Sequence, residues 1–457
     1  QAFRNTTGGG AHSGADNQAG TASVRGSGAD SDQEGGAQPG EYVIAEPVGG
    51  GRNQKARILE RIGREDDPKS ISLVAIHTHG LPVEFSPNAL AQAERAQPAE
   101  LGDREDLRSI PLVTIDGADA RDFDDAVFAE PDSDKKNEGG WRIIVAIADV
   151  AWYVHPDDDL DSSARERGNS AYFPDRVVPM LPEKLSNDLC SLRPGEDRAC
   201  IAVDMSINKA GNLLSHRFFR GLMRSVARLT YEQVQAASDG IPDDKTRHLT
   251  KTVIEPLFGA YTALARARDY RGTLNLDIPE RQVLFQQDGW IEQIVPRARY
   301  DSHRLIEEFM ITANVAAAET LENKAAPCMY RVHDRPSQEK MDGLRETLAP
   351  LGIKLSKGQV VKSNNFQKIV AQAEGKPEMA IVNMAVLRSQ AQAEYSPHNI
   401  GHFGLAIKRY AHFTSPIRRY SDLLVHRSLI NALGLGEDGL APEDGERFSE
   451  LSKHISS

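Results

Sequence analysis

The chain has little cysteine and no long apolar run, and each shortage removes a class of protein. Its three cysteines, Cys190, Cys200 and Cys328, form no CxxC pair. So odd and sparse a set suits a reducing cytoplasm better than a secreted disulfide framework. No apolar stretch approaches the roughly 20 residues that cross a bilayer as a helix, so no membrane is expected. Gln1-Ala2-Phe3-Arg4-Asn5 lacks the basic flank and apolar core of a signal peptide. It also lacks an initiator Met, which points to a processed or partial chain. No internal repeat at solenoid periods is visible.

What is present is ordinary in bulk. With 457 residues, 40% hydrophobic and 26% charged, the chain resembles a soluble globular protein of one large domain plus a smaller module, or of several average domains. The net charge of −12 counts, at first sight, against a nucleic-acid partner. Net charge governs solubility and steering, whereas binding rests on local patches. An enzyme that holds cations between carboxylates engages phosphates even when acidic overall, so the charge is weak evidence against RNA.

Residues 1–40 are rich in Gly, Ala, Ser, Asp and Asn and are expected to be disordered, because they bury too little to offset ordering entropy. From Glu41 the texture changes. Glu41–Ala45, Lys55–Glu60 and Ile71–Ile76 are short, partly alternating runs that suggest a small β module over residues 41–87. Residues 88–110 read as a helix and linker. The large domain is expected over 111–440, with strands at Leu112–Ile115, Ala126–Phe128 and Trp141–Ile147. Helices are expected near Ser302–Asn323, Met379–Ala393 and Pro416–Leu433, and residues 441–457 start a further amphipathic segment. Strands and long helices mixed in one block indicate an α+β or mixed α/β domain.

The most informative segment is Thr114–Val127. Asp116 ends a strand, and Asp122, Asp124 and Asp125 follow at offsets of six, eight and nine residues among small and turn-forming residues. Carboxylates so close repel one another, and a bound divalent cation removes that penalty. All-oxygen ligation without Cys or His favours a hard cation, magnesium or manganese. Two plainer readings compete. A solvated acidic loop is disfavoured by the apolar runs on either side. An EF-hand is excluded, since the Gly at its sixth position and the Glu at its twelfth are missing.

Thr114–Val127 resembles the signature of the RNB family, to which ribonucleases II and R belong. The similarity recurs in order at Val145–Val150, Tyr172–Asp175, Met180–Pro182, Leu185–Leu192, Leu229–Tyr231, Ile306–Met310 and His412–Tyr420, and it spans roughly residues 111 to 433. Gly401-His402-Phe403-Gly404-Leu405 leans towards bacterial ribonuclease R. The resemblance implies a processive magnesium-dependent 3′-to-5′ exoribonuclease of the cytoplasm. It would hydrolyse single-stranded RNA from the 3′ end to nucleoside 5′-monophosphates by a two-metal mechanism, in RNA degradation and processing. Asp116, Asp122, Asp124 and Asp125 take the metal positions, with Asp124 and Arg418 as catalytic residues. It further implies an OB-fold or cold-shock-like β-barrel remnant over 41–87, absence of the C-terminal OB-fold module, a monomer, and contacts with RNA-degradation machinery.

Other residues are assigned with less to support them. Thr414-Ser415-Pro416 is a helix-start signal with a hydroxyl cap, which would place Arg418 and Arg419 in a first turn facing a phosphate. The plain alternative is an Arg418–Asp422 pair at i, i+4. Tyr172 matches a family aromatic that stacks on the 3′-terminal base. No partner aromatic stands near Arg271–Leu276. Tyr231 matches a tyrosine near the catalytic end of the RNA channel. Glu307 shares a helical stripe with Asn314 and is favoured for the terminal nucleotide, because Glu308 has Arg304 available at i−4. Asp119 is expected to be solvated or to act behind the metal-binding carboxylates. His333, His402 and His412 have no zinc-site spacing and read as core or channel histidines. Rival readings are a catalytically silent RNA-binding protein of the same fold, marked by loss of metal aspartates, and a magnesium-dependent phosphatase for small molecules.

Overall fold

The computed structural model describes residues 2–4, 20–23, 37–48, 55–276, 278, 280–286, 290–355, 361–440 and 442–457. The chain divides into two compact units. One gathers Gln1–Phe85, Ser170–Val178 and Glu280–Arg297; the other gathers Ser86–Asn169, Pro179–Pro279 and Ala298–Ser457.

The first unit holds a four-stranded sheet of Ala2–Arg4, Gly20–Ser23, Glu41–Val48 and Lys55–Arg64. Two of these strands lie inside the stretch expected to be disordered. Main-chain pairing of Gly20–Ser23 with Tyr42–Ala45 supplies there what composition could not reveal; most of residues 1–40 falls outside the described residues. Ile71–Ile76, expected as a strand, belongs instead to the helix Pro68–Thr78. The reason is local: Asp67 accepts from the Lys69 N–H as N-cap, and Pro68 opens the helix. Ala171–Tyr172 and Val177–Val178 form a short antiparallel ribbon.

The second unit is built on a mixed seven-stranded sheet. Its order is Ala227–Thr230, Val113–Asp116, Asp125–Pro131, Trp141–Ala148, Asp197–Ile207, Leu213–Arg224 and Glu105–Asp106. Pairing is antiparallel except at the two edges, where Ala227–Thr230 runs parallel to Val113–Asp116 and Glu105–Asp106 parallel to Leu213–Arg224. Ile143–Ala148 and Cys200–Val203 are buried without interruption, as expected for strands covered on both faces. The helix Asp301–Asn323 forms where its sequence places it, burying Leu305, Phe309, Ala313, Ala316 and Ala317 at helical spacing. The helices Gln338–Leu348, Ser363–Ala373 and Met379–Ser389 enclose a smaller core of Leu344, Phe366, Ile369 and Val386, against which Leu274 and Leu276 also pack.

The last long helix runs Tyr420–Leu433, four residues later than Pro416 suggests. Thr414–Arg419 forms a turn instead, because its main-chain donors are committed elsewhere. The Ser415 N–H donates to the Asp422 carboxylate at 2.8 Å, the Ile417 N–H to Asp124 at 2.9 Å and the Tyr420 N–H to the Gly168 carbonyl at 2.9 Å. Arg419 stays extended and bridges to Asn169. Beneath the turn, Asp422 is fully buried. Burial opposes its ionisation, but the Arg419 guanidinium, bonded at 2.7 and 2.8 Å, holds its carboxyl down at about 2.

In the unfolded chain a carboxyl like that of Asp422 titrates near about 4. The stabilisation from this depressed group is fully present above about pH 4 and is lost as pH falls from there towards about 2, an effect on the order of 2–3 kcal/mol. Urea melts of the wild type and of Asp422→Asn should therefore differ by a gap that narrows through that window. A gap independent of pH would show that the ion pair is not its source.

Candidate active site

The aspartate loop leaves the sheet at Asp116 and returns to it at Asp125, so its ends are fixed by strands while residues 117–124 carry no regular structure. The Gly117 N–H donates to the Asp116 carboxylate at 2.7 Å, and the Asp124 carbonyl accepts from the Ala148 N–H at 2.8 Å. Asp124 is 5% exposed. One of its carboxylate oxygens accepts from the Ile417 N–H, and the other lies 3.7 Å from Nε of Arg418. Asp116, Asp122 and Asp125 are half-buried; Asp119 is exposed.

Charge is in excess here. Burial pushes the Asp124 carboxyl well above the ordinary carboxylate range; Arg418 and the Ile417 N–H oppose the rise, and the charges of Asp122 and Asp125 add to it. Asp125 is pushed up to about 7 by burial and by the charge of Asp116, against the pull of Arg418. Asp116 is raised by burial, with the Gly117 N–H and Arg418 opposing and Asp122 contributing. Among the described residues no three His, Cys, Asp or Glu side chains are already gathered as a metal cage. The donor chemistry nevertheless fits a hard divalent cation. The loop presents carboxylate oxygens with no thiol or imidazole, and a cation would relieve their burial and mutual repulsion.

Arg418 and Arg419 prove different. Arg419 pairs with Asp422, whereas the Arg418 side chain is 47% exposed and approaches Asp124, with a further bond to the Ser415 hydroxyl at 3.2 Å. Because the helix begins at Tyr420, neither arginine sits in a helical first turn. Tyr231 follows Thr230, which pairs in register with Asp116, so the sheet brings it next to the aspartates. A capping box between Thr230 and Gln233 fixes the helix start at Tyr231, and its ring stacks on His303 at 3.9 Å between centroids. Tyr172 lies in the other unit and is 53% exposed.

On the long helix, Glu308 is 2% exposed and bonds to Arg268 at 2.7 Å, not to Arg304, which pairs with Asp301. Helical spacing alone made Arg304 the candidate; the tertiary neighbour won. Glu307 is partly exposed and bonds to Arg299 at 2.6 Å. Asn314, buried on the same helix, accepts from the Phe413 N–H at 2.7 Å and donates to the Tyr410 hydroxyl at 3.1 Å, so it holds the segment that leads into the turn. His333 bonds to the Ala391 carbonyl and His412 to the Tyr395 hydroxyl, as core histidines do.

Sequence reading missed Arg228. Its guanidinium donates to the Gly117 carbonyl at 2.5 Å and lies 5.4 Å over the Phe123 ring, clasping both ends of the aspartate loop. Only the register of the edge strand places it there; in the sequence it merely precedes the Leu229–Tyr231 station of the family resemblance.

The RNB domain model matches residues 104–434, and the cold shock domain model matches residues 29–86. Ribonuclease R of Vibrio parahaemolyticus is 42% identical over 430 residues, covering 91% of this chain and 50% of that protein. Ribonuclease R of Escherichia coli is 41% identical over 447 residues, covering 93% and 54%. The chain thus spans about half the length of these curated relatives. Among solved structures, Mycoplasma genitalium RNase R in complex with ribose methylated single-stranded RNA aligns at a TM-score of 0.85 and 26% identity, over 92% of this chain and 66% of that one. Yeast Ssd1, a pseudonuclease, shares the fold at 16% identity and a TM-score of 0.69, over 91% and 52%. With the matched region running through the sheet, the aspartate loop and the turn that bears Arg418, the chain belongs to the RNB family, alongside the bacterial ribonucleases R.

Proposed function

We propose that this chain carries the catalytic domain, about residues 111–440, of a processive 3′-to-5′ exoribonuclease that hydrolyses single-stranded RNA to nucleoside 5′-monophosphates. The observation that supports it most is the buried Asp124 carboxylate, which the chain draws against the Ile417 N–H and beside Arg418. The RNA complex of the Mycoplasma relative supports the choice of substrate. No helix among the described residues is long and apolar enough to cross a membrane, and we assign the chain to the cytoplasm, as a monomer working with RNA-degradation machinery.

In this reading Asp116, Asp122, Asp124 and Asp125 hold the cations, magnesium with manganese as an alternative. Divalent cations held by these carboxylates would supply Lewis acidity for the attacking water and for the departing 3′ oxygen. Arg418, exposed beside Asp124, meets the scissile phosphate as its charge grows. Tyr231 and Glu307 contact the terminal nucleotides, and Tyr172 stacks on a base. Arg419, bound to Asp422, serves RNA chiefly by shaping the turn that presents Arg418. A catalytically silent protein is the second reading, since the fold occurs in a pseudonuclease; retention of all four aspartates weighs against it.

Incubation with 5′-labelled single-stranded RNA and magnesium should shorten the RNA progressively from its 3′ end; binding without shortening would support the silent reading. Asp124→Asn is expected to lower turnover by at least about 10³-fold with RNA affinity within about threefold of wild type, because catalysis needs the charge and binding rests on the channel. Near wild-type cleavage by this variant would remove Asp124 from the mechanism. Arg418→Ala should reduce kcat by about 10²–10³-fold and change KM little, as for a group that bonds more strongly in the transition state. A change confined to KM would make Arg418 an ordinary binding residue.

A further inference from the structure

Ser191 lies 68 positions beyond Phe123 in the sequence, yet its side chain is built into the aspartate loop. It is fully buried. Its hydroxyl donates to the Arg121 carbonyl at 2.8 Å and accepts from the Phe123 N–H at 3.0 Å. The next residue adds a main-chain bond, from the Leu192 N–H to the Phe123 carbonyl at 2.9 Å. The peptide units on both sides of Asp122 are thus held by Ser191, and the next one along by Leu192. Ser191 is itself anchored, because buried Arg198 donates to its carbonyl at 3.0 Å.

The loop needs such a support. Residues 117–124 have no helix or strand of their own, and Asp122 lies within that stretch, six residues after one fixed end and three before the other. The charge of Asp122 is felt at both Asp116 and Asp124, which places it among the repelling carboxylates of the loop. Like charges left to themselves move apart. The hydroxyl of Ser191 opposes that movement without touching any carboxylate.

We propose that Ser191 is a positioning residue, which holds the Asp122 carboxylate towards Asp116 and Asp124 so that the loop binds a divalent cation. The proposal rests on the nuclease reading above and adds a role that acts through Asp122. The plain alternative is that Ser191 merely satisfies buried main-chain groups, in which case its loss lowers stability and nothing else.

The test uses Mn2+ alone, with no RNA and no turnover. Free Mn2+ is counted by electron paramagnetic resonance at a temperature where circular dichroism shows every variant folded. Ser191→Ala is expected to bind Mn2+ at least about tenfold more weakly than wild type, as for residues that orient metal ligands. Ser191→Thr, which keeps the hydroxyl, should recover most of the loss. In a chain already carrying Asp122→Asn, Ser191→Ala should add no further loss, since its effect runs through that carboxylate. If Ser191→Ala does not fold, Ser191→Cys, with a similar volume and a weak hydrogen bond, takes its place with the same expectation. Equal Mn2+ affinity in wild type and the folded variant, or losses that add in the double variant, overturns the positioning role and leaves the nuclease standing. A wild type that binds no Mn2+ overturns both.

Discussion

The hydrogen bond from the Ile417 N–H to the Asp124 carboxylate, which joins positions 293 residues apart, is the interaction on which the site depends. Burying an ionised carboxylate costs several kcal/mol unless donors and opposite charge attend it. Here one main-chain donor and the nearby Arg418 attend it, and Asp122 and Asp125 work against it. The bond obliges two irregular segments to fold together. Without the turn at Thr414–Arg419, Asp124 would be buried with less to hold it; without Asp124, the Ile417 N–H would lose its partner.

Each segment is then steadied by further side chains. The turn rests on Asp422, which takes the Ser415 N–H and the Arg419 guanidinium, and Asn314 holds the approach at Phe413. The aspartate loop rests on Ser191 and is clasped by Arg228. The neutralised arginine and the available one are therefore adjacent in sequence. Arg419 stabilises the turn because its charge is matched by Asp422, while the Arg418 side chain stays largely exposed beside Asp124. Buried, satisfied groups carry the architecture, and a few incompletely compensated charges remain at the aspartate loop.

Much of this was legible in the chain. The strands at Leu112–Ile115 and Trp141–Ile147 and the long helix near Ser302–Asn323 announced themselves by unbroken or periodic apolar runs, and the structure places them within a residue or so. The spacing of Asp116, Asp122, Asp124 and Asp125 around small residues marked the loop. Three readings failed for one shared reason. Pro416 looked like a helix start, Ile71–Ile76 like a strand and Arg304 like the partner of Glu308, because local patterns were weighed without neighbours. Asp124 and Asp422 took the main-chain donors of the turn, Asp67 capped a helix, and Arg268 arrived from another helix.

The sequence by itself determined the chemistry on offer: five carboxylates within ten residues, two arginines beside a hydroxyl-rich turn, and a family signature around both. Composition and short-range spacing suffice for that, since they express charge, turn-forming residues and apolar periodicity. Only the tertiary structure decided which arginine is spent on Asp422 and which faces Asp124, that Tyr231 stands beside Asp116, and that Ser191 holds the loop. Most of those choices come from hydrogen bonds and strand registers between residues tens to hundreds of positions apart, which leave no mark on the local sequence of either one; the Arg419–Asp422 pair is local, but the extended backbone at Arg419 that sets it is imposed by distant Gly168 and Asn169.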